Sequence, residues 1–276
     1  GNSANNSSHG IVIISTNAAQ GNSIPVALDQ TVYGNEDDVF TITLTGEDSD
    51  GGILTYNLES NPSHGNVTQS YSSVLGFDGN NDYVDIGDML SIGAYTKIAW
   101  VKRANGSKNN NIISGNTGHA LWAPNHYGFK LSAGHNGSWN TVQDIEALEI
   151  GEWNFVAVTY DPNVASGTMV LYKNGAQIDN ATGVARQNES SATYIGRYGG
   201  GNHWIGSIDE VAIWNEALTA AEITSIYNNS GNELNANTNY GNYSSEPNLI
   251  GYWRMNEGTG SSTLDHSGNG NNGIIG

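Results

Sequence analysis

The sequence predicts an all-β protein, in which a β-sandwich with one short helix follows a small N-terminal β module. Segments whose apolar and polar residues alternate recur along the chain, as in half-buried strands. The 276 residues include 36 Gly and only 5 Pro, a composition that suits many tight turns. Helix start and stop signals coincide once, at residues 219–227. This length accommodates one large all-β domain and a smaller module.

Charge and composition restrict the partners. The chain has 9 Lys and Arg against 27 Asp and Glu, a net charge of −18, which disfavours nucleic acid and anionic membranes and suits cation binding. It has no Cys, so calcium is the expected source of rigidity in place of disulfides. The chain has no apolar run of ~18 residues, so membrane insertion is not expected, and it opens without a signal peptide. We therefore expect a soluble excised piece of a longer protein.

Residues 1–20 are predicted to be a tail or a strand of a preceding repeat. This segment and the stretch at 266–275 each place a short β-branched strand after an Asn/Ser/Gly-rich loop. Such self-similarity is typical of tandem arrays, in which neighbouring β modules of the parent protein would be partners. A second alignment matches Ser8-His-Gly10 with Ser63-His-Gly65, and chance similarity of low-complexity sequence is a third explanation. All three stay open.

Residues 21–70 predict a partial β module. An alternating strand at 39–45 is followed by an acidic turn at 47–52 and a further strand at 53–58. The pattern resembles the first half of the cadherin-like or immunoglobulin-like repeats of bacterial adhesins. It departs from them because the closing strands are absent before the next domain begins at 71.

The larger domain shows clear local signals. Residues 169–178 predict a hairpin, because Asn174 and Gly175 suit a two-residue type I′ turn. Thr219 and Glu222 have the spacing of a capping box, which predicts a helix start.

A strand at 206–214 leads directly into that helix, and its side chains are expected to alternate between two faces. One face would carry Ile208, Glu210 and Ala212, and the other Asp209, Val211 and Ile213.

Six sequence blocks together resemble laminin-G-like, concanavalin A-like jelly-roll domains, which occur in pentraxin-related and many bacterial surface proteins. The blocks are Phe77-Asp-Gly79 with 82–87, then 98–102, 151–161, 171–175, 206–211 and 217–223. The resemblance implies a concanavalin A-like jelly-roll β-sandwich over 71–276 and a secreted or cell-surface, extracellular bacterial protein. In these relatives the Trp-containing strand often comes first, whereas here it follows at 249–255, which implies closure by the C-terminal segment 249–276.

Asp209 is the first candidate for a metal ligand. A carboxylate among apolar strand residues needs a partner, and in a chain with few cations a calcium ion is the natural one. The resemblance extends to family 16 glycoside hydrolases, which hold a structural calcium near this strand. The implied ligands are Asp209, Asp265, Asn269, Asn271 and Gly258. In the alternative, Asp209 caps a turn and Asp265 opens an Asx turn.

The tryptophans indicate a glycan site, because flat aromatic faces stack on sugar rings while Asn, Asp and His bind hydroxyls. Five of the 7 Trp are expected to pack in the core: Trp100, Trp153, Trp204, Trp214 and Trp253. Trp122 and Trp139 instead lie between Gly, Asn and His in expected loops, where binding residues are common.

The predicted glycan site has a stacking set and a polar set. The stacking candidates are Trp122, Tyr127, Trp139, Tyr198 and His203. The polar candidates are His119, Asn125, His126, His135 and Asn202. The alternative is a set of surface aromatic residues without a ligand. Zinc is disfavoured because the histidines lack tight ligand spacing.

Catalysis is disfavoured. A retaining glycosidase needs two carboxylates about 5 Å apart in a cleft. The nearest pattern, Asp144-Ile-Glu146, lacks the Glu-x-Asp-x-Glu arrangement of family 16 hydrolases, and solvated acids explain it better.

The sequence therefore predicts a non-catalytic, calcium-binding carbohydrate-binding or adhesion module, with a polysaccharide or cell-surface glycan as its partner. A calcium-stiffened structural spacer is the alternative, and a polysaccharide hydrolase is a weaker one. Exposure of both Trp122 and Trp139 would favour glycan binding, and burial of both would favour the spacer.

Overall fold

The computed structural model describes residues 74–90, 93–115, 118–188, 192–228, 246–257 and 260–276, together with the backbone of four short strands before residue 61. The chain forms two compact units, residues 1–70 and residues 71–276. Within the described ranges, no helix has the length and apolarity to span a membrane.

The first unit contains four described strands in two antiparallel pairs. They are β1 (Ile11–Ser15), β2 (Val26–Ala27), β3 (Gly46–Glu47) and β4 (Thr55–Ser60). Strand β1 pairs with β4, and β2 pairs with β3. The strand predicted at 39–45 lies outside the described residues, and the likeness to adhesin repeats stays a prediction.

The second unit is built from antiparallel strands and one α-helix, α1 (Ala220–Asn228). Its described strands are β5 (Leu75–Asp78), β6 (Val84–Asp85), β7 (Tyr95–Arg103), β8 (Ile113–Gly115), β9 (His119–Trp122), β10 (Lys130–His135), β11 (Ser138–Ala147), β12 (Trp153–Asp161), β13 (Thr168–Lys173), β14 (Ala176–Thr182), β15 (Thr193–Ile195), β16 (Ile205–Trp214), β17 (Leu249–Trp253), β18 (Ser262–Thr263) and β19 (Gly273–Ile275). Short 3₁₀ helices span Asn125–Tyr127 and Glu246–Asn248.

Three sheets form the sandwich. The largest has the order β14-β13-β12-β7-β16-β17, with β5 also paired to β16. The others are β18-β19-β6-β15-β8 and β11-β10-β9. The C-terminal segment returns as predicted, because β17 pairs with β16 and β19 pairs with β6. The all-β sandwich with one short helix is therefore confirmed.

The core has two apolar clusters, on opposite faces of the largest sheet. One joins Val101 and Val158 of that sheet to Leu121 and Ile195 of the smaller sheets. The other packs α1 against the opposite face, where Trp214 lies. Alternation along each strand supplies one set of side chains to each cluster.

The predicted core tryptophans divide in the structure. Trp204, Trp214 and Trp253 are fully buried, as predicted. Trp153 is 37% exposed, so its prediction as a packing residue is wrong: it begins β12 at the solvent boundary. Trp100 is half-buried and stacks on Tyr227 of α1.

A β-bulge corrects the predicted faces of β16. The pairing with β7 shifts between Asp209 and Ala212, and Glu210 has a left-handed φ of 48°. One extra residue in a strand changes which side chains share a face. Ile208 consequently joins Val211 and Ile213 in the inner cluster rather than sharing a face with Ala212.

The predicted hairpin and helix cap are confirmed. Asn174 and Gly175 have φ angles of 51° and 77°, as a type I′ turn requires. At the helix start, the Thr219 amide donates to Glu222 Oε2 at 2.7 Å, and the Glu222 amide donates to Thr219 Oγ1 at 3.3 Å. These reciprocal bonds form a capping box.

Gly175→Ala is expected to destabilise the protein more than Gly183→Ala. Both glycines have positive φ, so alanine strains the backbone by about 1 kcal/mol at either position. A Cβ at residue 175 would also lie 2.7 Å from Cδ1 of Tyr227, whereas a Cβ at residue 183 meets open space. Overpacking adds roughly 1–3 kcal/mol at the first site. Urea denaturation measures both variants, and equal losses would show that the contact with Tyr227 contributes nothing.

Candidate functional site

The structure brings aromatic side chains of three segments together beside β9, β10 and β11. The Trp122 ring centre lies 5.4 Å from that of His126 and 6.1 Å from that of Tyr127. Trp139 and Tyr198 have ring centres 5.9 Å apart. Trp122 Nε1 joins the two groups by donating to the Trp139 carbonyl at 2.8 Å. We call these five residues the aromatic cluster.

Local turn chemistry holds the cluster. Pro124 precedes the 3₁₀ turn that carries His126 and Tyr127, and Gly128 ends this turn with a left-handed φ of 69°. Gly201 and Tyr198 exchange two backbone hydrogen bonds of 3.0 Å, which close the turn beneath the Tyr198 ring.

Asn109 links the polar residues of the cluster, although the sequence prediction missed it. Its Oδ1 lies 3.2 Å from His126 Nδ1, and its Nδ2 donates to Asn202 Oδ1 at 3.0 Å. The Asn125 amide nearby donates to the Ser107 carbonyl at 3.1 Å. A run of three Asn at 109–111 was the only signal in the sequence.

The members of the aromatic cluster differ in exposure: Trp122 is buried, and the other four reach the surface. Trp122 is only 7% exposed, so its prediction as a loop stacking residue is corrected: it ends strand β9, and its Nε1 donates to the Trp139 carbonyl. Trp139, Tyr127 and Tyr198 are half-buried. His126 is exposed, as are Asn125 and Asn202. The surface therefore offers ring edges and faces beside amide and imidazole groups.

His119 and His135 lie in the core, which corrects their prediction as glycan contacts. Their exposed fractions are 0% and 2%. His119 Nδ1 accepts from the Gly115 amide and lies 3.1 Å from Lys97 Nζ. His135 Nε2 donates to the Ala185 carbonyl at 2.7 Å. His119 shares a face of β9 with Leu121, and His135 shares a face of β10 with Ala133; both apolar residues belong to the inner cluster, so the histidines point between the sheets.

Burial lowers the pKa of each of these bases. Desolvation is the largest cause for Lys97 and His119, whose pKa values lie well below their usual ranges. Desolvation also lowers the pKa of His135, and the nearby Lys97 adds to the effect on both histidines. The neutral forms are therefore favoured inside the fold.

His203 lies apart from the aromatic cluster. Its Nδ1 is 3.2 Å from the Asp82 carbonyl, and since a carbonyl only accepts, this nitrogen donates. The bond directs the ring towards the segment before β6 rather than towards Trp139.

Asp265 organises a turn, as in the alternative to its prediction as a calcium ligand. Its Oδ1 accepts from the amides of Tyr252 and Ser267 at 2.9 Å each, and its Oδ2 accepts from the Asn271 amide at 2.8 Å. Both oxygens are thus used by the backbone, as in the Asx-turn alternative.

The two asparagines of the predicted ligand set serve the same turn. Asn269 Nδ2 donates to the Leu249 carbonyl at 2.8 Å, and Asn271 Nδ2 donates to the Ile250 carbonyl at 2.7 Å. The Asn271 carbonyl accepts from Trp253 Nε1 at 2.8 Å. Gly258 lies outside the described residues.

Asp209 is the unusual carboxylate of this region. Its pKa is raised to about 7: burial is the largest cause, a hydrogen bond from the Glu210 amide opposes it, and the neighbouring charge of Glu257 adds to the increase. Glu257 Oε1 accepts from Thr263 Oγ1 and from the Leu264 amide. The sequence prediction did not include Glu257. Among the described residues, no group of three or more His, Cys, Asp or Glu is arranged to hold a metal.

Asp144 is buried and ion-paired, which corrects its prediction as a solvated acid. It is 4% exposed, its Oδ2 pairs with Lys173 Nζ, and its Oδ1 accepts from the Glu146 amide. Glu146 itself is exposed. The two carboxylates therefore differ in their surroundings, since one is buried in an ion pair and the other is exposed.

A family model described as the concanavalin A-like lectin/glucanases superfamily, of laminin G type, matches residues 78–224, more than half of the chain. No curated protein matches the chain.

Several solved structures are similar to the chain. A candidate carbohydrate-binding protein from Bacteroides ovatus has 18% identity and a TM-score of 0.56, and the match covers 84% of this chain and 65% of that protein. A heptameric pentraxin from Limulus polyphemus has 17% identity, covers 59% and 86%, and has a TM-score of 0.48. Domain 4 of an arabinanase from Geobacillus stearothermophilus, in complex with arabinotriose, has 20% identity, covers 65% and 91%, and has a TM-score of 0.45. The match to the Bacteroides ovatus protein shows similarity of fold alone.

Proposed function

Because this chain belongs to the concanavalin A-like lectin/glucanases superfamily, we propose that its larger unit is a carbohydrate-binding module whose site is the aromatic cluster. The observation that carries the proposal is the half-buried pair of Trp139 and Tyr198, bordered by the exposed side chains of His126 and Asn202. The candidate carbohydrate-binding protein from Bacteroides ovatus shares the fold and supports the class.

The geometry suits a sugar for two physical reasons. Pyranose rings present apolar C–H faces to aromatic rings and hydroxyls to neighbouring amides and imidazoles. The hydrogen bond from Trp122 Nε1 fixes the backbone of Trp139, and the Asn109 bridge fixes His126 and Asn202. A site that is already ordered loses less conformational entropy when a ligand binds.

The test is a glycan-array screen of the whole chain, with Trp139→Ala as the site variant. Hits with the wild-type protein that disappear in the variant support the proposal. A blank array contradicts it and favours the structural spacer.

The module is proposed to be non-catalytic and extracellular, to act in binding or adhesion, and to adjoin other β modules of a longer protein. The ion pair of Asp144 with Lys173 supports the absence of catalysis at the one acid pair that the sequence indicated.

A structural calcium ion is proposed at Asp209. Glu257, rather than Asp265, is proposed as the second carboxylate ligand. Asp265 already accepts backbone hydrogen bonds in its turn, and the charge of Glu257 is close enough to raise the pKa of Asp209. Glu210, which follows Asp209, and Met255, two residues before Glu257, have left-handed φ angles of 48° and 55°. Non-glycine residues keep such strain only where the surroundings fix it, often at binding sites.

Calcium is expected to raise the melting temperature, and Asp209→Asn is expected to remove the increase. In EDTA, the free energy of unfolding should fall as pH rises from about 4 to about 7, because the folded state keeps the Asp209 proton that the unfolded state loses. Calcium favours the ionised carboxylate, so it should stabilise most at the upper end of this window.

The control for this experiment is Asp88→Asn, which neutralises an exposed carboxylate. Calcium should stabilise this variant as it stabilises the wild-type protein. Identical melting temperatures in calcium and in EDTA at pH 7 would contradict a calcium ion at Asp209.

A further inference from the structure

Arg197 lies between two tyrosine rings beside the sheet that contains β6 and β15. Its Cζ is 3.4 Å from the centre of the Tyr83 ring and 4.1 Å from the centre of the Tyr194 ring. The two rings are 5.9 Å apart and nearly perpendicular, at 84°. The guanidinium is therefore held on two sides, and its orientation is fixed.

Backbone pairing holds both tyrosines. Tyr83 exchanges hydrogen bonds of 3.1 and 3.0 Å with Gly276, and Tyr194 lies in β15, paired with Asp85 of β6. A guanidinium that is positioned in advance loses little entropy when it binds an acceptor.

The hydrogen-bonding capacity of Arg197 is unused within the described residues. A guanidinium has five N–H donors. The Nε of Arg197 is buried without an acceptor, and no described carboxylate lies within ion-pairing distance of this side chain. Other cations of the chain have such partners: Lys173 pairs with Asp144, and Arg103 donates to the Leu148 carbonyl. A fixed, half-buried cation without an acceptor favours an anionic ligand.

Arg197 also adjoins the aromatic cluster directly. The next residue, Tyr198, stacks on Trp139 with ring centres 5.9 Å apart. Adjacent Cα atoms are about 3.8 Å apart, so contact with both side chains requires a ligand longer than a single sugar.

We propose that Arg197 is an anion-binding subsite of the glycan site, and that it recognises a carboxylate or sulfate group of an acidic saccharide whose neighbouring sugar lies on Trp139 and Tyr198. This inference rests on the proposed function. A planar guanidinium matches two oxygens of either group through parallel N–H bonds.

The net charge of −18 further restricts which acidic glycans are expected to bind. Exposed charges are screened beyond about 8 Å at physiological ionic strength, whereas a contact with a half-buried cation is screened much less. A densely charged polyanion would still meet the acidic surface. The expected ligand is therefore a mainly neutral glycan with isolated acidic groups.

The test follows the Nε–H resonance of Arg197 by NMR in the isotope-labelled chain, assigned with Arg197→Lys. The acidic probes are glucuronate, galacturonate, mannuronate and glucose 6-sulfate, and the neutral probes are glucose and methyl glucuronate ester. We expect a saturable shift with at least one acidic probe and none with the neutral ones. A response to uronates alone or to the sulfate alone identifies which acidic group is bound.

Two variants complete the test. Arg197→Lys keeps a positive charge but loses the planar donors, and it should weaken binding of the acidic probe at least about tenfold. Lys102→Gln removes a cation from another strand and should leave the affinity unchanged. If no acidic probe shifts the resonance, or if neutral sugars shift it equally, the subsite is wrong. Loss of array binding in Trp139→Ala would then still support the glycan site, so the two proposals fail separately.

Discussion

Replacing Trp139 by alanine is expected to weaken glycan binding at least about tenfold, which corresponds to about 1.4 kcal/mol. The half-buried ring is the largest aromatic surface that the cluster presents, and aromatic anchors contribute most of the binding energy in such sites. The melting temperature should change little, because the hydrogen bond from Trp122 reaches the Trp139 carbonyl, which alanine retains. Isothermal titration with a glycan from the array measures the affinity.

Trp153→Ala is the matched control for this experiment. Trp153 is also a tryptophan with a solvent-exposed ring, 37% exposed, but it lies at the start of β12, in the largest sheet, outside the aromatic cluster. Its loss should leave glycan affinity unchanged. If Trp153→Ala reduced affinity as strongly as Trp139→Ala, the site would lie elsewhere on the sandwich.

Lys97→Met is expected to stabilise the protein at neutral pH, by roughly 1–3 kcal/mol. The Lys97 amine is fully buried, and its described partners are the Ile113 carbonyl and His119 Nδ1 rather than a carboxylate. Its pKa is far below the usual value, so the unfolded state binds a proton that the folded state does not. This difference destabilises the fold below the usual lysine pKa, and methionine removes it while filling a similar volume.

The same variant should resist acid better than the wild-type protein. His119 and His135 have lowered pKa values, so the unfolded state takes up more protons and stability falls as pH drops below about 6.5. Lys97 contributes to both shifts through like-charge repulsion, and its removal should move acid unfolding to lower pH. Asp209 acts in the opposite direction between about pH 4 and 7, so the comparison is made in excess calcium.

Urea denaturation at several pH values measures this stability. Lys130→Met serves as the control, because Lys130 is only half-buried and its charge stays near solvent. The control should change the free energy of unfolding little. A loss of stability in Lys97→Met at pH 7 would show that the bonds to Ile113 and His119 outweigh the cost of burying the amine.

Short-range chemistry made several elements predictable from the sequence. The Asn174-Gly175 turn and the Thr219–Glu222 capping box depend on residues one to three positions apart, and both form as predicted. The strand at 206–214 was also found, since alternation marks a strand without knowledge of its partners.

Pairing between distant strands explains where the predictions from the sequence were wrong. The bulge at Glu210 arises in the register between β16 and β7, strands that are distant along the chain, and it places Ile208 on the face of Val211 and Ile213. His119 and His135 lie between Gly and polar residues that suggested loops, yet β9 and β10 turn them inward. Trp122 was assigned to the surface for the same reason and ends a buried strand.

The sequence by itself determined the all-β class and the turn and cap positions, and it supplied the residue types of the proposed glycan site, because these follow from local propensity and composition. Only the tertiary structure decided that Asp265 supports a turn, that the charge of Glu257 raises the pKa of Asp209, and that Arg197 lies between Tyr83 and Tyr194. Those relations join residues separated by up to more than a hundred positions in the sequence. Burial and proximity of that kind are properties of the packed sheets and are absent from any local stretch of the chain.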